Sequence, residues 1–115
     1  ITLCEDRIAS DQGLNQVLTH ELVHAFDECK DPHFVSTCDK RACSEIRAIN
    51  LSGQCRRGRN GANGGMYNPQ GTLSYEDCVR KYAAIATKID DTCGDGTAAV
   101  DHVFWKCLMS IGPLY

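Results

Sequence analysis

THELVHAFDEC, residues 19–29, is the stretch on which the reading of this chain turns. Within it His20-Glu21-Leu22-Val23-His24 fits H-E-x-x-H. On a helix, residues four apart project from one face one turn apart, so the two imidazoles reach the same ion. Glu21 lies about 100° around from His20, where it can address a metal-bound water without ligating the metal. Zinc brings the pKa of such a water down to about 7, and a carboxylate then takes its proton as it attacks a peptide carbonyl. The expected roles are zinc ligation by His20 and His24 and catalysis by Glu21. Zinc is inferred from ligand type; iron or cobalt suits the same donors.

A catalytic zinc needs a third protein ligand and one open position. The metzincin pattern is excluded, because Asp27 stands where it requires glycine and Lys30 where it requires histidine. Asp27 shares the face of the two histidines, but three ligands at i, i+4 and i+7 of one straight helix span about 10 Å, too far for a single ion. His33 lies past the helix end and is an alternative if the chain folds back. Glu45 is favoured. A short connection makes the next helix an antiparallel neighbour, and a carboxylate from it completes a His₂Glu set. Asp27 then suits a supporting role, accepting an imidazole N–H or fixing neighbouring groups, and Arg47 is a partner for one of these carboxylates or for substrate.

Outward from this segment the chain reads as mainly α with a minor β element. Ile1 to Cys4 reads as a short strand. Ser10 or Asp11 caps the first helix, which runs to about Cys29 with Leu14, Leu18, Leu22 and Ala25 as its buried stripe; Asp31-Pro32 closes it. Ser36 and Thr37 cap a second helix that stops at Gly53. Residues 56–73 form a loop rich in Gly and Asn. A third helix follows Ser74, with Val79, Tyr82, Ala83, Ala86 and Ile89 inward. Thr97 caps a fourth, which buries Val100, Val103, Phe104, Trp105, Cys107, Leu108 and Ile111 and ends at Gly112-Pro113. The last two helices form a hairpin, and there is no internal repeat.

The chain has 115 residues and a net charge of −3. That length gives one domain, residues 1–115, able to bury roughly 65% of its unfolded surface, and the mild charge argues against nucleic acid as a partner. No apolar run reaches the roughly 18 residues of a membrane span. The start at Ile1 reads as the loss of an upstream segment. Eight cysteines without a C-x-x-C favour disulfides over a thiolate metal site, and with them an oxidising compartment. Antiparallel packing of the last hairpin would set Cys78 level with Cys107, and Cys29 would staple the first two helices through Cys38 or Cys43.

THELVHAFDEC followed by RACSEIRAINLSGQC, residues 41–55, resembles the mitochondrial intermembrane-space metalloprotease family that matures ATP synthase subunit 6. Animal members of that family are also described as Ku-binding proteins. DCVRKYA and VFWKC extend the resemblance more thinly, so that it covers most of the chain. It implies a zincin-like, disulfide-stapled fold, zinc on His20, His24 and Glu45, and Glu21 as the catalytic glutamate. It further implies a peptide substrate such as the subunit 6 precursor, peripheral association with the inner membrane, and a second role in ATP synthase assembly that does not need proteolysis. The Gly-rich segment around Asn60 to Gly71 has no counterpart in the resemblance, and Cys38 and Cys93 stand outside its cysteine pattern.

Two competing readings follow from the residues. One is a zinc-stabilised assembly chaperone with little turnover. The other is a secreted peptidase, suggested by the cysteines and the sequon Asn50-Leu51-Ser52. Arg56, Arg57 and Arg59 form a small basic patch that would suit anionic lipid. Tyr67, Tyr75 and His102 are each able to donate a hydrogen bond to a developing oxyanion, and nothing in the sequence chooses among them.

Overall fold

A computed structural model describes residues 11–32, 37–56, 64–88 and 92–111. The expected strand at Ile1 to Cys4 lies outside these residues, as do Ser10, His33, Ser36, Arg57, Arg59 and Ile89; among the described residues there is no strand. Four helices follow one another: α1 (Asp11–Lys30), α2 (Cys38–Ser52), α3 (Tyr75–Thr87) and α4 (Thr97–Leu108). None is long and apolar enough to cross a membrane.

Local chemistry sets most of the ends. The Thr37 side chain accepts the Lys40 N–H at 3.1 Å and starts α2, and Ser74 does the same for Asp77 at the start of α3. Gly53 ends α2 in the left-handed region at φ 79°, where a Cβ would be unfavourable. Thr97 is not the cap of α4 but its first residue: Gly96 holds the cap position, and the Asp95 carboxylate accepts the Thr97 N–H at 3.0 Å. The helix stops at Leu108, short of the expected Gly112-Pro113.

The core lies around α2, which packs on α1, α3 and α4, while α2 is the only one of the four helices on which α1 packs. Ala42, Ile46 and Ile49 of α2 meet Val79 and Ala83 of α3 and Ala99, Val100 and Phe104 of α4. Two expectations about burial fail here. The stripe of α1 is only in part the leucine face: Leu14 and Leu18 are half-buried, but Leu22 is 54% exposed and Ala25 exposed, whereas Val23 and Gln16 are buried. The helix turns its histidine face to α2, and that rotates Leu22 away. On α4, Phe104 is buried but Trp105 is 54% exposed, because α4 faces α2 and α3 on one side only, and Ile111, past the helix end, is 48% exposed.

The cysteine pairs also differ from expectation. The disulfides are Cys38–Cys93, Cys43–Cys107 and Cys55–Cys78, so neither Cys78–Cys107 nor a link from Cys29 to Cys38 or Cys43 forms. The hairpin taken by itself leaves out α2, which lies against both of its arms; Cys43 of α2 takes Cys107, and Cys55 just after α2 takes Cys78. Cys38 and Cys93 bond to each other, and Cys29 is exposed and has no disulfide partner among the described residues. Loops of 55, 64 and 23 residues are closed, each worth about 3–4 kcal/mol in the chain-entropy account.

Candidate metal centre

His20 and His24 sit one turn apart on α1 with ring centroids 4.8 Å apart. Glu45 projects from α2 between them. His24 Nε2 lies 3.1 Å from His20 Nε2, His20 Nε2 lies 3.5 Å from Glu45 Oε1, and His24 Nε2 rests against the same oxygen. Donors about 2.05 Å from a tetrahedral ion stand about 3.3 Å apart, so this spacing suits one ion. Among the described residues these three are the His, Cys, Asp and Glu side chains grouped closely enough to hold a metal.

The tautomers are fixed by the groups behind the rings. Gln54 turns its amide nitrogen to Met66 Sδ at 3.2 Å and its oxygen to His20 Nδ1 at 2.6 Å. That oxygen only accepts, so His20 carries its proton on Nδ1. Ser44 spends its single hydroxyl proton on Asp27 Oδ2 at 2.8 Å, and therefore accepts from His24 Nδ1, also at 2.8 Å. Both Nε2 lone pairs thus point at each other and at a carboxylate. Glu45 Oε1 is buried and accepts no directed hydrogen bond. Three converging acceptors repel unless a cation lies among them, which is the arrangement expected of a metal site.

A proton and a metal ion compete for the same Nε2 lone pairs, and the electrostatics describe the cluster when protons hold them. Burial pushes the Glu45 carboxyl up, but the two imidazoles facing it prevail and hold it at about 2. Burial pushes His20 down, yet Glu45, with Gln54 and the charge of Glu21 behind it, raises it above 6.5. Glu21 itself stands beside the three donors, close enough for its charge to act on His20 without joining them.

Asp27 has the supporting place that its position suggests. Beyond Ser44 it is gripped by Arg47, with Nε at 3.3 Å from Oδ2 and NH2 at 3.1 Å from Oδ1. Arg47 is 6% exposed and also donates through NH1 to Ser110 O at 2.8 Å and Ser110 Oγ at 2.9 Å. Removing one member of a buried pair strands the other charge. Asp27→Ala is accordingly expected to cost roughly 3 kcal/mol, a fall in Tm of roughly 10 °C by calorimetry. A Tm within about 2 °C of the parent would mean that the pair carries no structural weight.

Gln54 and Ser44 were not singled out from the sequence. Ser44 precedes Glu45 and lies three residues before Arg47, a helical spacing that was available to be read. Gln54 had no such signal, because it acts from the turn after α2. Of the three candidate oxyanion donors, Tyr75 places its hydroxyl on Asn50 Oδ1 and His102 is held by Asp39 at 2.8 Å on the surface. Tyr67 is the one of the three that bonds, through its backbone N–H, to Gln54, the residue whose side chain orients His20.

The chain is similar to proteins named mitochondrial inner membrane protease ATP23. That of Eremothecium gossypii is 36% identical over 98% of this chain and 47% of its own length. That of Mycosarcoma maydis is 37% identical, covering 98% and 52%, and that of Saccharomyces cerevisiae is 35% identical, covering 98% and 52%. The chain therefore spans about half the length of the curated relatives it matches. No solved structure matches it. The match to the Peptidase M76 family runs over residues 1–115, and the chain belongs to that family.

Proposed function

We propose that this chain is the catalytic part of a zinc-dependent endopeptidase, with the ion held by His20, His24 and Glu45 and with Glu21 as general base. The observation that carries this reading is the convergence of two imidazole lone pairs and an unsatisfied buried carboxylate oxygen, each held in place from behind. Zinc there supplies Lewis acidity, acidifying water and polarising a peptide carbonyl. Glu21 takes the proton from the attacking water and passes it to the departing amine nitrogen, so the carboxylate is regenerated at the end of the cycle. Gln54 and Ser44 keep the imidazoles in the ligating tautomer throughout.

In the whole protein the substrate is a protein processed at the mitochondrial inner membrane, the location in the relatives' names. We infer the precursor of ATP synthase subunit 6 in particular, with assistance to ATP synthase assembly as a second role and peripheral association with the membrane from the intermembrane space. A secreted protein glycosylated at Asn50 is disfavoured, because that side-chain amide donates to Leu108 O at 3.1 Å within the packed structure.

The test is metal removal. Treatment with 1,10-phenanthroline is expected to abolish cleavage of a peptide library, and one equivalent of zinc to restore it, with stoichiometric zinc seen by elemental analysis. Unchanged cleavage in the metal-free protein would refute the metallopeptidase reading.

A further inference from the structure

Tyr67 packs at the edge of the core beside the turn that carries Gln54, the residue behind His20. Its segment lies so tightly on residues 53–56 that a Cβ at Gly65 would fall 2.2 Å from Gln54 O. Gly65 N–H donates to Arg56 O at 2.7 Å and Tyr67 N–H to Gln54 O at 2.9 Å. The ring stacks on Tyr82 at 4.2 Å with planes 7° apart, which fixes its direction. The backbone bond from Tyr67 to Gln54 sets the ring beside the residue whose side-chain amide orients His20, and that amide's nitrogen reaches back to Met66 Sδ of the same segment at 3.2 Å. The phenol, half-buried there, has a proton to give.

We propose that the Tyr67 hydroxyl is a catalytic hydrogen-bond donor, stabilising the negative charge that develops on the carbonyl oxygen of the scissile peptide. This deepens the endopeptidase reading and rests on it. The donor keeps its proton throughout, so no charge or bond is left unbalanced. A neutral donor is what the surroundings favour, since burial pushes the phenol up from 10. A fixed, half-buried donor needs no reorganisation as charge builds, and one such donor is worth roughly a hundred- to a thousandfold in rate.

Tyr67→Phe keeps the ring and its stacking while deleting the hydroxyl, and is compared in the full-length protein with the parent and with Glu21→Gln. Zinc affinity, measured by chelator competition starting from the metal-free protein, is expected to stay within about threefold, since the ligands are untouched. The kcat should fall by roughly a hundredfold or more with little change in KM. The affinity for a phosphinic peptide, a stable tetrahedral anion, should fall by a comparable factor while that for the matching uncleaved peptide product does not. Parent-like kcat and phosphinic affinity would overturn the assignment, as would loss of zinc, which would make Tyr67 a prop for Gln54. A parent without turnover, or a Glu21→Gln variant as active as the parent, would instead remove the endopeptidase reading, and the phosphinic-peptide comparison would still decide Tyr67.

Discussion

Glu21→Gln is expected to lower peptide cleavage by about a thousandfold or more while the protein keeps its zinc. The carboxylate stands next to the three donors without joining them, so an isosteric amide leaves ligation alone and removes only the proton acceptor. Glutamine has no basic oxygen to hold the proton between water and leaving amine, and both halves of the transfer fail together. Single-turnover assays on a fluorogenic peptide, with zinc content measured on the same sample, check both parts. An active variant would move the general base elsewhere, whereas a variant stripped of zinc would make Glu21 a ligand. The same variant separates two roles: an assembly function that survives in it would be independent of hydrolysis.

Glu45→Ala is expected to weaken zinc binding by more than about a hundredfold, beyond what loss of a supporting group behind a ligand costs. Alanine leaves two neutral imidazoles, one donor short of the three a catalytic site needs and with no negative charge to offset the ion. Isothermal titration of metal-free protein reads the loss directly, and the zinc-dependent rise in Tm should shrink with it. Retention of stoichiometric, tight zinc would overturn the ligand set and turn attention to His33, which lies outside the described residues.

Much of this was legible because it rests on local rules. Thr37, Ser74 and Gly53 mark helix ends by satisfying or freeing backbone groups nearby, and the four-residue spacing of His20 and His24 is a property of any helix. Glu45 could be favoured because one short connection fixes the neighbouring helix. The rest depended on how helices lie against one another. The leucines of α1 show a regular helical stripe, yet Leu22 faces outward because the polar face is the one that meets α2. Cys78 and Cys107 are level in a hairpin considered by itself, but both point to partners in or beside α2. Gln54 and Tyr67 take their places from a loop whose course no periodicity encodes.

The distribution of covalent staples has a mechanical consequence. All three bridges of the described residues tie α2 and its flanks to α3, α4 and the turn between them, and none reaches α1. Among the described residues the helix that contributes two of the three donors is thus clasped to the stapled part by non-covalent contacts, chiefly Ser44 and Arg47 on Asp27. An ion bridging His20 and His24 to Glu45 would act as the missing rivet, so that loading the metal also fastens α1 to α2.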